Sequence, residues 1–229
     1  MSQELEFFWK GRLPLSSISW HYDSSKNIEF SDSFNKSCNE FWLELRKEFS
    51  NLYDGKLLAI EDIEYSENSI VFHLGNVRFS QITYHYRKKL PLVGSMGSLG
   101  FQALVYNPTR THVLVGQRFH GSEYRPGAFA LPGGIFEVQD TDSTIVTACL
   151  RELTEEISIQ VKPETMKMLA IFRELNHIAT GIIIEVESKE EIRGNQDSFL
   201  QVDGNEEWEK KVLKWYPIDE VATLDSKNS

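Results

Sequence analysis

Apolar residues recur at spacings of three and four through FSDSFNKSCNEFWLELRKEFSNL, where Phe34, Cys38, Phe41, Trp42, Leu45 and Phe49 form one stripe. That period predicts an amphipathic helix with Ser31 or Asp32 as N-cap. The pattern then changes. KLLAIEDIEY, SIVFHLGNV and FSQITYHYR are rich in aromatic and β-branched residues and lie between the turn formers YDGK and SENS, so each is predicted as a strand on which the helix packs. Together they make a small α+β unit over residues 1–94. The Gly- and Ser-rich PLVGSMGSLG (91–100) marks the expected boundary with a second unit, residues 95–229.

Beyond that boundary FQALVYN and HVLVGQR flank the turn NPTR as a hairpin, and TMKMLAIFREL and ATGIIIEVES read as later strands. Between the two strand pairs Val146, Leu150, Leu153 and Ile157 are spaced by four, three and four, which predicts a helix with one face in the core. A helix set among mixed strands gives an α/β fold of α/β/α layers. The tail TLDSKNS is polar and expected to fray.

Composition narrows the function. The 229 residues are 41% apolar and 12% aromatic, enough for a sizeable core, and 34 acidic residues against 24 basic ones leave a net charge of -10. Such a chain is ill suited to hold phosphate backbones through bulk electrostatics, which disfavours nucleic acid as a partner. Cys38 and Cys149 are the only cysteines and have no metal-ligand spacing, so a disulfide framework is not expected and a reducing, cytoplasmic setting is. The apolar runs predict neither a signal peptide nor a membrane span.

Chemistry concentrates in RELTEE, residues 151–156. On the predicted helix Glu152, Glu155 and Glu156 share a sector turned away from the apolar face, and carboxylates so close repel one another unless a positive charge lies between them. A solvated acidic face is the ordinary explanation of such a run. Here RPGAFALPGG stands just upstream, with glycines, Gly134 among them, that allow close backbone approach and offer N–H donors to phosphate. A glycine-rich turn followed by a carboxylate helix points to oxygen ligation of a hard divalent cation, Mg²⁺ above all. No Gly-x-Ser-x-Gly occurs, and no pairing singles out His112, His120 or His177. Cys149, one turn before the carboxylates, is expected to have a raised pKa.

These residues resemble the Nudix hydrolases, whose signature is Gly, five residues, Glu, seven residues, then Arg-Glu-apolar-x-Glu-Glu-x-Gly-apolar. RELTEEISI matches the second half, with Ser158 where the family has glycine, and similarity extends over GFQALVYNPTRTHVLVGQR, PGAFALPGG and VLKWYPIDEV. The first half departs from the pattern. QDTDST carries a three-residue insertion, and Asp140 or Asp142 stands in for the upstream glutamate. The resemblance implies a mixed-sheet α/β/α sandwich, with Glu152, Glu155 and Glu156 as metal ligands for Mg²⁺, or Mn²⁺ in its place. It also implies that Glu152, Glu156 and Glu207, the last in DGNEEWEKK beside Glu206, carry the catalysis.

Shorter matches (NLYDGKLL, FHLG and the GG-x-x-E of GGIFE) look like the subgroup that cleaves UDP-sugars such as UDP-glucose to UMP and glucose 1-phosphate. Carried over, Tyr53 and Phe79 lie near the base, Arg118 faces the diphosphate, and Gly134 and Glu137 complete the substrate site, so that the amino-terminal unit contributes to binding. ADP-ribose, dinucleotides and coenzyme A are alternative substrates, and a nucleotide sensor without turnover is the reading from another class. The amino-terminal unit either caps its own site or pairs with a neighbour in a homodimer.

Overall fold

A computed structural model describes residues 5–49, 52–90, 97–117, 127–157, 160–174, 179–189, 200–202, 211–221 and 223–224. Among these, eleven strands join in one mixed sheet. Its main path runs β1 (Leu5–Pro14), β8 (Val161–Glu174), β9 (Ala179–Ser188), β5 (Ser98–Tyr106), β3 (Lys56–Tyr65), β4 (Ile70–Arg78) and β2 (Ile18–Asn27). From β5 a branch leads to β6 (His112–Gln117), which pairs β7 (Phe129–Ala130) and β11 (Lys211–Pro217), with β10 (Leu200–Val202) beyond β11. The pairs β5/β9 and β2/β4 are parallel and the others antiparallel.

Side-chain alternation on the strands divides the core. Leu58 and Ile60 of β3, and Leu99, Phe101, Ala103 and Val105 of β5, point to the face covered by helix α3 (Ile145–Ile157). Leu57 and Ala59 point the other way, onto α2 (Phe79–Lys88), against which α1 (Asp32–Glu48) packs. On that same opposite face Leu104 and Tyr106 join Val113, Val115 and Val221 of the short helix α4 (Ile218–Val221). The result is the expected α/β/α layering. No helix of the described residues is long and apolar enough to cross a membrane.

Helix α1 forms over the expected stretch. Its N-cap is Ser31, whose hydroxyl accepts the Phe34 N–H, and Cys38, Trp42 and Leu45 are buried. The stretch FSQITYHYR, expected as a strand, is instead helix α2. Its Phe79, Ile82 and Tyr86 recur at helical spacing, and its first turn is capped from afar: the Asp54 carboxylate accepts the Ser80 N–H at 2.8 Å, while Gln81 accepts the Arg78 N–H at 3.0 Å. A cap supplied by a residue 26 positions earlier leaves no local mark in the sequence. Strands β1 and β2, to which the sequence pattern assigned no element, are the two ends of the main path, each paired along one side only.

The expected boundary near residue 94 separates segments that share a core. Leu15, Ile18, Leu58 and Phe72 from one side pack in a single cluster with Phe101, Phe136, Leu153 and Ile184 from the other. Leu58 is fully buried, so Leu58→Ala is expected to cost about 2–5 kcal/mol. Urea melts followed by tryptophan fluorescence and by far-UV circular dichroism should move together as one transition, without a separate amino-terminal phase.

Candidate metal and diphosphate site

The glycine-rich lead into α3 runs as an added strand. Ala103 N–H donates to Pro132 O at 2.7 Å, Phe101 N–H to Gly134 O at 2.9 Å and Phe136 N–H to Leu99 O at 3.0 Å, while Leu58 N–H reaches Phe136 O at 2.9 Å. Residues 132–137 are thus pinned between β5 and β3. A Cβ on Gly133 would lie 2.0 Å from the backbone oxygen of Phe101, so glycine is required there, while one on Gly134 would lie 2.2 Å from Glu152 Oε2 and would turn that carboxylate aside. The room at Gly134 is taken by the Glu152 carboxylate itself.

Next comes a 3₁₀ turn, Val138–Asp142, opened by the Asp140 carboxylate accepting the Glu137 N–H at 2.8 Å. The other oxygen of the buried Asp140 side chain accepts from Arg151 Nη2 at 2.7 Å. Asp140, with five residues between it and Gly134, is thus the acid of this turn that pairs with Arg151. The Asp142 side chain lies outside the described residues. Arg151 also bonds Glu152 at 2.5 Å and Glu155 at 3.0 Å. One guanidinium serves three carboxylates.

Glu152 and Glu155 do not share the exposed sector expected for them. Ile145, Ala148, Cys149, Leu153 and Ile157 are the fully buried positions of α3, whereas Val146 and Leu150 are only partly buried. The core face is rotated toward Cys149, which brings Glu152 to its edge, with the side chain 15% exposed. Burial raises the pKa of Glu152 to about 7; Arg151 works to lower it, and the charges of Glu155 and Asp140 raise it further. Cys149 is pushed well above the ordinary thiol range by burial first and by Glu152 and Asp140 after it. Glu155 is exposed and lies against Arg151. Glu156 follows one turn after Glu152, and its side chain lies outside the described residues. Among the described residues no three His, Cys, Asp or Glu side chains are grouped to hold an ion.

The amino-terminal candidates approach this region through Glu137. A Cβ on Gly55 would lie 3.0 Å from the Tyr53 ring and 4.0 Å from Glu137 Oε1, so both side chains border Gly55. Tyr53 is 78% exposed on an anchored loop, because Asp54 bonds Ser80 and Arg78 and Gly55 O accepts the Phe79 N–H. Phe79 is otherwise placed: its half-buried ring meets Trp42 edge-on at 5.9 Å in the α2 packing. Glu137 also accepts from Gln139. Arg118, Glu206, Glu207, His120, His177 and Ser158 lie outside the described residues, and His112 bonds the Thr111 hydroxyl in the β5–β6 turn.

The NUDIX domain family matches residues 98–229, more than half of the chain. The chain belongs to the Nudix family. Nudix proteins bind small-molecule nucleoside diphosphates and generally use a divalent metal, typically Mg²⁺. Among curated proteins no sequence matches the chain. Among solved structures it is similar to MutT as studied from Aliivibrio salmonicida and Vibrio cholerae, with 17% identity over 57% of this chain and 90% of that one and a TM-score of 0.40. It is also similar to a MutT/nudix family protein from Enterococcus faecalis, with 21% identity over 59% of this chain and 49% of that one at a TM-score of 0.37. A third is Shewanella oneidensis NrtR, with 18% identity over 56% of this chain and 55% of that one at a TM-score of 0.38.

In this Nudix box, then, Asp140 is paired with Arg151, and Glu152 is a half-buried acid with too little positive charge around it. Its folded pKa, about 7, exceeds the ordinary carboxylate value, so the folded chain binds the extra proton. The stability this group contributes is complete below about pH 4.5 and is lost as pH rises toward 7. Metal-free protein should lose on the order of 1–3 kcal/mol across that interval, and Glu152→Gln should flatten the loss, as read by urea denaturation at successive pH values.

Proposed function

We propose that the chain hydrolyses the anhydride bond of a nucleoside diphosphate joined to a second group, with a UDP-sugar such as UDP-glucose as substrate and UMP and glucose 1-phosphate as products. The observation that carries this reading is the charge deficit at the box: a half-buried Glu152 beside two further carboxylates that share a single Arg151. A hard divalent cation suits that deficit, since it wants oxygen donors and completes its shell with water. Glu152 and Glu156, one turn apart on α3, are the residues to hold it, with Glu155 as a further donor once released from Arg151. Bound Mg²⁺ or Mn²⁺ neutralises diphosphate oxygens and acidifies a coordinated water.

The chain's own residues do the rest. Asp140 and Arg151 orient Glu152, and Gly134 leaves its carboxylate room to turn. Glu207 is the proposed acceptor of the proton lost as water adds to phosphorus and the bridging P–O bond breaks. Arg118 is proposed on the diphosphate, where a guanidinium binds two oxygens at once. The exposed Tyr53 ring borders Gly55, as Glu137 does; Tyr53 is proposed to stack the base and Glu137 to accept hydrogen bonds from base or ribose. Phe79, packed on Trp42, supports that loop from behind. In this way the amino-terminal unit, residues 1–94, contributes to substrate binding.

Two measurements test the reading. UDP-sugars, ADP-ribose, dinucleotides and coenzyme A assayed side by side with Mg²⁺ and Mn²⁺ should favour the UDP-sugars; equal or better turnover of another substrate moves the specificity there. Tight calorimetric binding without any phosphate product marks a sensor instead. Glu156→Gln is expected to abolish turnover in a folded chain, and Tyr53→Ala to raise KM roughly 5- to 150-fold, as the loss of about 1–3 kcal/mol of base stacking requires.

A further inference from the structure

Trp20 lies on β2, far from the box in sequence, yet a line of hydrogen bonds leads from it to Glu152. Its indole N–H donates to Ser143 O at 3.2 Å. Ser143 in turn donates from its backbone N–H at 3.1 Å and from its hydroxyl at 2.9 Å to Asp140 O. The Asp140 carboxylate receives Arg151 Nη2 at 2.7 Å, and that same nitrogen bonds Glu152 at 2.5 Å. The Trp20 ring also meets Phe136 edge-on, with centroids 5.4 Å apart, and Phe136 stacks on Phe101 at 5.4 Å. Trp20 therefore touches the box loop twice, once on each side of Asp140.

Ser143 lies in QDTDST, the stretch that carries the three-residue insertion. Extra residues in a loop add freedom unless something outside the loop removes it. Asp is also shorter than the Glu of the family signature, so its reach to Arg151 depends on where the backbone of the 3₁₀ turn sits. Trp20 is the contact from the amino-terminal segment that holds both the entry and the exit of that turn.

Resting on the hydrolase reading, we infer that Trp20 is a positioning residue for the metal-binding carboxylates, acting through Ser143, Asp140 and Arg151, so that the amino-terminal segment completes the Nudix box. Coupling of this kind is reciprocal: whatever Trp20 contributes to metal affinity, metal binding returns to the Trp20 contact.

The test compares wild type, Trp20→Phe, which keeps a ring and loses the N–H, and Val113→Ala. Val113 is buried on the opposite face of the sheet, so its replacement reports general destabilisation alone. Below the melting temperature of all three, Trp20→Phe should bind Mn²⁺ by calorimetry about 3- to 10-fold more weakly, the range for one lost hydrogen bond. Its kcat on UDP-glucose should fall by a similar factor with KM little changed, while Val113→Ala binds Mn²⁺ as wild type does.

Wild-type affinity and kcat in Trp20→Phe, or an equal loss in Val113→Ala, overturns the inference. A second measurement needs no variant at that position. In wild-type protein carrying 5-fluorotryptophan, with the other tryptophans assigned by their own replacements, Mg²⁺ should shift the Trp20 ¹⁹F line and leave that of Trp42 in place. A Trp20 line that stays put overturns the inference while the hydrolase reading stands; wild-type protein that binds neither metal removes both.

Discussion

A single guanidinium shared by three carboxylates is the interaction on which the rest of this site depends. Arg151 reaches Asp140, Glu152 and Glu155 from one position on α3. Burial works against its charge, and the bond to Asp140 with the charges of Glu152 and Asp140 more than offsets that, so the group stays cationic. One positive charge cannot neutralise three negative ones. The surplus falls most heavily on Glu152, because it alone of the pair Glu152 and Glu155 is drawn toward the core. A buried acid in that state takes up a proton or a cation.

That electrostatic arrangement is held by backbone. Residues 132–137 are hydrogen-bonded on one side to β5 and on the other to β3, so the loop that delivers Asp140 is as fixed as the sheet. Gly133 and Gly134 allow it to lie against Phe101 and Glu152 without collision. Because β3 belongs to the amino-terminal segment, the box is walled by both parts of the chain: Leu57 bridges Glu137, Leu58 bonds Phe136, and Trp20 bonds Ser143. The Tyr53 loop is tied to the start of α2 through Asp54. An exposed ring on a loop with that many anchors keeps little freedom to lose.

Much of the fold was legible because it follows from local periodicity. Helix α1 with its Ser31 cap, strands β3 to β6, β8 and β9, and the carboxylate helix all carry patterns that their own residues satisfy. Failures came where a distant residue decided the outcome. FSQITYHYR has strand-forming composition and helical spacing at once, and the Asp54 cap settles it as helix. Strands β1 and β2 escaped because an edge strand buries little, leaving a weak alternation to read. At the site, Glu152 was legible as a candidate ligand, but its half-burial was not. Val146 and Leu150 suggested one core face, while the close fit of Ala148 and Cys149 against the sheet turned the helix to another.

By itself, then, the sequence determined the layered α/β class, the family through RELTEE and its glycine-rich lead, and which acids are available for a metal. These are properties of spacing, and spacing is preserved in one dimension. Only the tertiary structure decided that Asp140 is the partner of Arg151, that Gly134 yields its space to Glu152, and that Trp20 comes to the box from the far end of the chain. Those are statements about which groups share a small volume. Such sharing is set by the packing of whole faces, which no short window of residues contains.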